Sequence, residues 1–279
     1  MRLVTFELNG SSHAGMVEAD QVVELPYPDV GTMLAASENW RAEAGRTGPH
    51  HDLSAVRLLP VVPAPSKILC LGLNYLRHIQ EGRQPDRPAA SYPTLFAKFT
   101  DSLCGPADDI ELPAESDSVD WEAELVVVLG RSVRNADDAS AVNAIAGYAV
   151  GNDVSMRDWQ KRTSEWLQGK AWEKATPVGP LITSDEVTDD GRPDLRIQCA
   201  IDGTVVQDGR TSEMIFDCVD CIKYISKIVT LRPGDLIFTG TPSGVGNARK
   251  PPVFISPGQV LTTTIEGLGV IRNRFITPP

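Results

Sequence analysis

The segment Val119–Gly130, VDWEAELVVVLG, places two carboxylates, Glu122 and Glu124, at the mouth of a run of leucine and β-branched residues. Side chains alternate with period two along a strand, so the two glutamates share a face. Leu125–Leu129 reads as a strand buried on both sides, because an unbroken apolar run of that kind has no solvent face. Like charges at the end of such a strand repel one another and lose hydration. A divalent cation would relieve that cost. Two solvated glutamates at a strand end, or one glutamate paired with an arginine, is the alternative at this stretch.

The 279 residues suit one large domain, or a large one with a small companion. A formal net charge of −11 argues against nucleic acid or an anionic membrane as partner. It also means that an anionic substrate needs a local positive site. No apolar run approaches the roughly 20 residues that span a bilayer. The opening MRLVTFELNG has no signal-peptide core and reads as a strand and an Asn9-Gly10 turn. The five cysteines form no paired framework, which points to a reducing cytoplasm. Cys218 and Cys221 fall within an amphipathic pattern, DCVDCIKYISKIV, without the second pair that a zinc site wants, and read as structural.

Residues 1–62 are expected to form a small α/β domain, with strands at Leu3–Leu8 and Met16–Leu25 and a helix over Thr32–Ala44. His50 and His51 fall in a polar loop and carry no assigned role. The prolines of Leu58–Lys67 suit a stiff connector into a second domain, 63–279. There Ile68–Gly72 reads as a strand and Asn74–Glu81 as a short helix, followed by a mobile polar loop, Gly82–Pro88, of the kind that acts as a lid. Helices are expected over Asp137–Ala146, Ser155–Leu167 and Met214–Val229, and strands over Gly147–Val154, Leu195–Ile201, Leu236–Thr239, Val253–Ile255, Val260–Ile265 and Val270–Ile276. Asp202-Gly203 signals a type I′ hairpin turn. Strands outnumber helices and crowd the C-terminal part. The pattern therefore predicts a strand-rich α+β fold, a mixed β-roll or barrel rather than regular βαβ units.

Several chemistries are excluded by what is missing. There is no P-loop, no G-x-S-x-G elbow and no H-E-x-x-H, and GTPSGVG has the wrong spacing for a dinucleotide fingerprint. What remains is oxygen chemistry. Glu122, Glu124 and Asp153 all fall at expected strand ends, and three carboxylates suit Mg²⁺ or Mn²⁺. Asp120 precedes the strand and reads as a solvated or turn residue. Arg157, Gln160 and Lys170 follow Asp153 and can bind a carboxylate or oxyanion, although Arg157 equally suits an ion pair with Asp158 or a glutamate. His78 and Glu81, three apart on a short helix, can meet as a general-base pair or as an ordinary surface pair.

The ordered set GLNYLRHIQE, PTLFAKF, VDWEAELVVVLG, GYAVGNDVSMRDWQ, GKAWEKATPVGP and LRPGDLIFTGTPSGVG, from Lys67 to the C-terminus, resembles the fumarylacetoacetate hydrolase family. The resemblance implies that family's mixed β-roll, with a small N-terminal domain and a homodimeric state. It implies Glu122, Glu124 and Asp153 as ligands of Mg²⁺ or Mn²⁺, with Ca²⁺ a further occupant to expect in crystals. His78 and Glu81 become the lid dyad and Lys170 a catalytic lysine, with Arg157, Gln160 and Thr241 at the substrate. Many relatives follow the lysine with Ser-Phe-Asp, whereas this chain has Ala171-Trp172-Glu173, a departure that bears on substrate choice. The implied reaction is hydrolysis of the C–C bond of an acylpyruvate, a small 2-oxo acid, through a pyruvate enolate. Oxaloacetate decarboxylation and the isomerisation or hydration of 2-hydroxy-dienoates are the alternatives on the same enolate. A non-catalytic binding or scaffold protein is the alternative of another class, and the joint presence of the six metal, dyad and lysine residues weighs against it.

Overall fold

The structure is a computed structural model and describes residues 1–81, 86 and 88–278. Its centre is the strand Ala123–Leu129, all seven residues of which are buried. Ala123, Leu125, Val127 and Leu129 join one apolar cluster, while Val126 and Val128 join another. The unbroken apolar run is thus a strand covered on both faces. Period two puts Glu122 and Glu124 on the face of Val126 and Val128.

A 12-stranded mixed sheet is built outward from this strand. Ile145–Asn152 pairs antiparallel on one side and Leu236–Phe238 on the other. Leu236–Phe238 continues in parallel to Ile68–Gly72, and Ile68–Gly72 in turn pairs antiparallel with Thr94–Lys98. On the far side Thr176–Thr183 joins Ile145–Asn152 to Arg2–Leu8. The N-terminal segment therefore shares this sheet, and the division expected at residue 62 separates stretches joined by backbone hydrogen bonds. Leu3, Met33, Leu34 and Trp40 pack in the same cluster as Val126 and Phe238.

A second sheet of five strands covers the other face. Its members Arg196–Ile201, Val260–Ile265 and Gly269–Ile276 bury alternate residues. Ile197, Cys199, Ile265 and Ile271 meet Leu125 and Val127 in one core. The helix Cys218–Ile228 closes that core with Val219, Ile222 and Ile225, so Cys218 and Cys221 are buried packing residues with free thiols. The fold is a strand-rich α+β assembly of mixed sheets, as the strand spacing predicts. Among the described residues no helix is long and apolar enough to cross a membrane.

Local chemistry explains the turns. Asp202 and Gly203 take φ of 48° and 81°, and Asn9 and Gly10 take 52° and 78°, the left-handed pairs that a type I′ hairpin needs. Several expected elements are broken where tertiary contacts overrule local pattern. Met16–Leu25 is two strands, Ser11–Glu18 and Gln21–Glu24, paired through a turn. Thr32–Ala44 is two short helices, Val30–Ala36 and Trp40–Ala44. Ser155–Leu167 is not one helix: Ser155–Met156 pairs with Val119–Asp120, and only Arg157–Gln160 and Leu167–Lys170 are helical. Val253–Ile255 forms no strand, though Val253 and Ile255 donate to the carbonyls of Gly246 and Val119. His50 and His51 lie in a strand, and His51 Nε2 meets Glu24 at 2.8 Å rather than facing solvent.

Phe238 is fully buried beside the central strand. Phe238→Ala is expected to cost about 3–5 kcal/mol through lost burial and a residual cavity. Urea denaturation should show this as a lower midpoint at unchanged slope. A loss below about 1 kcal/mol would place the core elsewhere.

Candidate active site

Antiparallel register assembles the acidic cluster. Ala123 pairs with Asn152, so Glu122 and Glu124 flank the end of the neighbouring strand, where Asp153 follows Asn152. The Asp153 amide donates to the Glu122 carbonyl at 2.9 Å, and the Glu122 amide donates to Asn152 Oδ1 at 2.9 Å. One carboxylate oxygen from each of Glu122, Glu124 and Asp153 lies within 4.8 Å of the other two, and all three residues are buried.

Buried carboxylates need counter-charges. Lys170, at the end of Leu167–Lys170, places Nζ 2.7 Å from both Glu122 Oε2 and Asp153 Oδ2. Arg157 lies 2.6 Å from Glu122 Oε1, donates from Nε to Asp120 at 2.8 Å, and donates to Gln160 Oε1 at 3.0 Å. Arg157 thus forms the ion pair with a glutamate, joined by Asp120 rather than Asp158, and also lines the cavity. Lys98, at the end of Thr94–Lys98, meets Asp153 Oδ1 at 2.5 Å.

Glu124 differs from its neighbours. Among the described residues no cation lies within 4 Å of it, and its partner is the Gly240 amide at 2.8 Å. Gly240 takes φ of 96°, and a Cβ there would come within 2.9 Å of Asn74, so this backbone approach requires glycine. Burial, together with the charges of Asp153 and Glu122, pushes the Glu124 carboxyl well above the usual carboxylate range. Burial acts in the same direction on Glu122, but Arg157 and Lys170 outweigh it and hold that carboxyl below the usual range. The cluster therefore contains one buried, repelled oxygen donor beside two neutralised ones. That donor set fits a hard divalent cation.

The cluster opens into a cavity of about 330 Å³ lined by His78, Glu81, Arg157, Gln160, Lys170 and Thr241 on its polar side, and by Leu71, Phe96, Trp166 and Val245 on its apolar side. His78 and Glu81 ride on the short helix Leu76–Glu81, and His78 Nδ1 meets Glu81 Oε1 at 2.7 Å. Glu81 Oε2 accepts from the Gly244 amide at 2.7 Å, so one carboxylate orients the imidazole and ties the helix to the GTPSGVG loop. His78 Nε2 remains as the other ring nitrogen. Of the expected lid loop, Gly82–Pro85 and Arg87 lie outside the described residues.

All nine expected site residues come to this cavity and its acidic floor. Four others escaped the sequence reading. Asp120 is fully buried rather than solvated, and accepts from Arg157 and from the amides of Trp121, Gly246 and Asn247. Lys98 lay in the quoted PTLFAKF segment, but only sheet pairing puts it at Asp153. Asn74 donates to the carbonyls of Phe216 and Thr239 and accepts from the Phe216 amide, which anchors the start of the dyad segment. Gln207 is buried behind Thr241.

A family model described as fumarylacetoacetate (FAA) hydrolase C-terminal matches residues 67–276. The chain is 43% identical over 226 residues to a human protein named oxaloacetate tautomerase FAHD2A, mitochondrial, an overlap of 80% of this chain and 70% of that one. Among solved structures, fumarylacetoacetate hydrolase from Exiguobacterium antarcticum aligns with a TM-score of 0.87 at 30% identity over 100% of both chains. A 2-hydroxyhepta-2,4-diene-1,7-dioate isomerase from Mycobacterium marinum aligns with a TM-score of 0.79 at 33% identity over 99% of this chain and 98% of that one.

Glu124→Gln keeps the shape of the cluster but removes the carboxyl that a bound cation would hold ionised. Titration calorimetry is expected to show at least about tenfold weaker Mg²⁺ or Mn²⁺ binding, since a neutral amide oxygen holds a hard divalent cation more weakly than a carboxylate does. Unchanged affinity would move the metal away from this triad.

Proposed function

Because the chain belongs to the fumarylacetoacetate hydrolase family, we propose that it is a divalent-metal enzyme that moves a proton between carbon and oxygen of a small 2-oxo acid. By outcome that makes it a tautomerase or isomerase. The observation that carries this reading is the facing arrangement: a carboxylate-oriented imidazole, His78–Glu81, lines the same cavity as the acidic triad and its cations. The names of the relatives support it, since tautomerase and isomerase both describe transfer of a proton next to a carbonyl.

In this reading Glu122, Glu124 and Asp153 hold Mg²⁺ or Mn²⁺. When bound, such an ion stabilises negative charge on the 2-oxo oxygen as a Lewis acid. Arg157, Gln160 and Thr241 hold the substrate carboxylate. Lys170, with two ammonium hydrogens on Glu122 and Asp153, has its third to donate to the oxygen where enolate charge develops. His78 removes a proton from C3 through Nε2 and returns it to carbon or passes it to oxygen. Glu81 fixes the imidazole in the Nδ1–H form, which leaves Nε2 as the base. Leu71, Phe96 and Trp166 exclude water from the enolate.

Hydrolysis of an acylpyruvate is the second reading, favoured by the same dyad. A histidine backed by a carboxylate that is itself held by the Gly244 amide is equally suited to activating water. Two assays separate the readings. The first follows keto–enol exchange of oxaloacetate by enol absorbance, with CO₂ detection alongside to expose decarboxylation. The second follows pyruvate release from acetylpyruvate. Faster exchange with little CO₂ is expected. A higher kcat/KM for acetylpyruvate cleavage would make the protein a hydrolase instead. In whichever assay prevails, His78→Gln is expected to lower kcat by about 10²–10⁴ with little change in KM, as loss of a general base does. An undiminished kcat would remove the dyad from the mechanism.

A further inference from the structure

We infer that Gln207 is a positioning residue that sets Thr241 as a hydrogen-bond donor toward the substrate. The inference rests on the proposed reading of Thr241 as the group that receives a substrate carboxylate.

Gln207 lies on the strand Thr204–Arg210 and is 1% exposed. It makes three contacts. Its Oε1 accepts from the Ala123 amide at 3.0 Å, and its Nε2 donates to the Pro242 carbonyl and to Thr241 Oγ1, each at 2.8 Å. A backbone amide can only donate and a carbonyl can only accept, so two of these contacts dictate which end of the side-chain amide is oxygen. The two Nε2 hydrogens are then both committed, one to Pro242 and one to Thr241. The Thr241 hydroxyl accepts at its back and keeps its own hydrogen. Thr241 lines the cavity and is 3% exposed, so that hydrogen has the cavity as its outlet.

A free hydroxyl can donate or accept and discriminates little. A hydroxyl that already accepts from an amide has one lone pair taken, and with Gln207 also on the Pro242 carbonyl its hydrogen is left for the cavity, where an anionic oxygen recruits it. Gln207 also sets a distance. Ala123, which it grips, lies between Glu122 and Glu124, so one side chain links the acidic triad to the Thr241 oxygen. The spacing between the two ends of a bound 2-oxo acid is therefore held by a residue that touches neither end.

The test is calorimetric titration of the Mg²⁺-loaded protein with oxalate, which carries the carboxylate oxygens of a 2-oxo acid and does not react. Gln207→Met lets the Thr241 hydroxyl turn to the Pro242 carbonyl. It is expected to weaken oxalate about tenfold, as losing a hydrogen bond to a charged group does. KM should rise by a similar factor while kcat stays within about threefold, the pattern of lost uniform binding. Thr241→Val should weaken oxalate to the same degree. In the Thr241→Val background, Gln207→Met should add less than about twofold, because its effect runs through the absent hydroxyl. An equal loss in both backgrounds overturns the inference and leaves Gln207 a structural residue. Gln207→Glu provides a second variant of native size. It keeps an acceptor for Ala123 and forces the Thr241 hydroxyl to donate inward, and the same comparison of backgrounds decides the outcome. Failure of oxalate to bind the unmodified protein, or full affinity in Thr241→Val alone, overturns the underlying reading of the site as well.

Discussion

The structure depends on an ionic cluster in a dry interior. Asp120, Glu122, Glu124 and Asp153 are buried together with Lys98, Arg157 and Lys170. Each charge removed from water costs several kcal/mol unless partners replace its hydration. The replacements come from far apart in the chain. Lys98 ends one strand, Asp153 follows another, Glu122 opens a third, and Arg157 and Lys170 sit on two short helices. A misplaced strand would strand a charge, so the cluster penalises wrong registers as strongly as the apolar cores do. Four carboxylates face three cations, and the surplus falls at Glu124, which has a backbone amide where the others have lysine or arginine. The least neutralised carboxyl of the cluster thus lies at the point where the sheet opens to the cavity.

The two sides of the cavity are built differently. The acidic floor stands on the most buried strands of the fold, with Glu122 and Asp153 each held by two cations and Glu124 by the Gly240 amide. The His78–Glu81 pair stands on a six-residue helix at 16% and 20% side-chain exposure, tied to the opposite loop through the Gly244 amide. The acidic side chains thus sit at the ends of deeply buried strands, and the His78–Glu81 pair on an element held by few bonds. Asn74 limits that freedom at one end by fastening the segment to the backbone of Phe216 and Thr239.

Much of this was legible in residue order. The apolar run after Glu124 meant a doubly covered strand, and it is one, with odd residues in one cluster and even residues in the other. Asn9-Gly10 and Asp202-Gly203 announced their turns because few residue pairs tolerate two successive left-handed conformations. Eight of the nine candidate site residues were picked out by their chemistry and position and Thr241 by family resemblance, and all nine converge on one cavity and its acidic floor. What failed was local reading where a distant partner decides. Ser155–Leu167 has helical composition, yet its first residues pair with Val119–Asp120 and hydrogen bonds to another strand replace those of a helix turn. Asp120 looked solvated because it precedes the strand; Arg157 reaches it from 37 residues away.

The sequence by itself determined the strand-rich class, the central buried strand and the identity of the oxygen donors, since these follow from side-chain period and from the chemistry each residue type can perform. Only the tertiary structure decided which charges meet and which hydroxyls and amides are already satisfied. Lys98 at Asp153, Arg157 between Asp120 and Glu122, and Gln207 behind Thr241 are consequences of register between strands distant in sequence. Register depends on the packing of whole sheets, and no local stretch of residues carries that information.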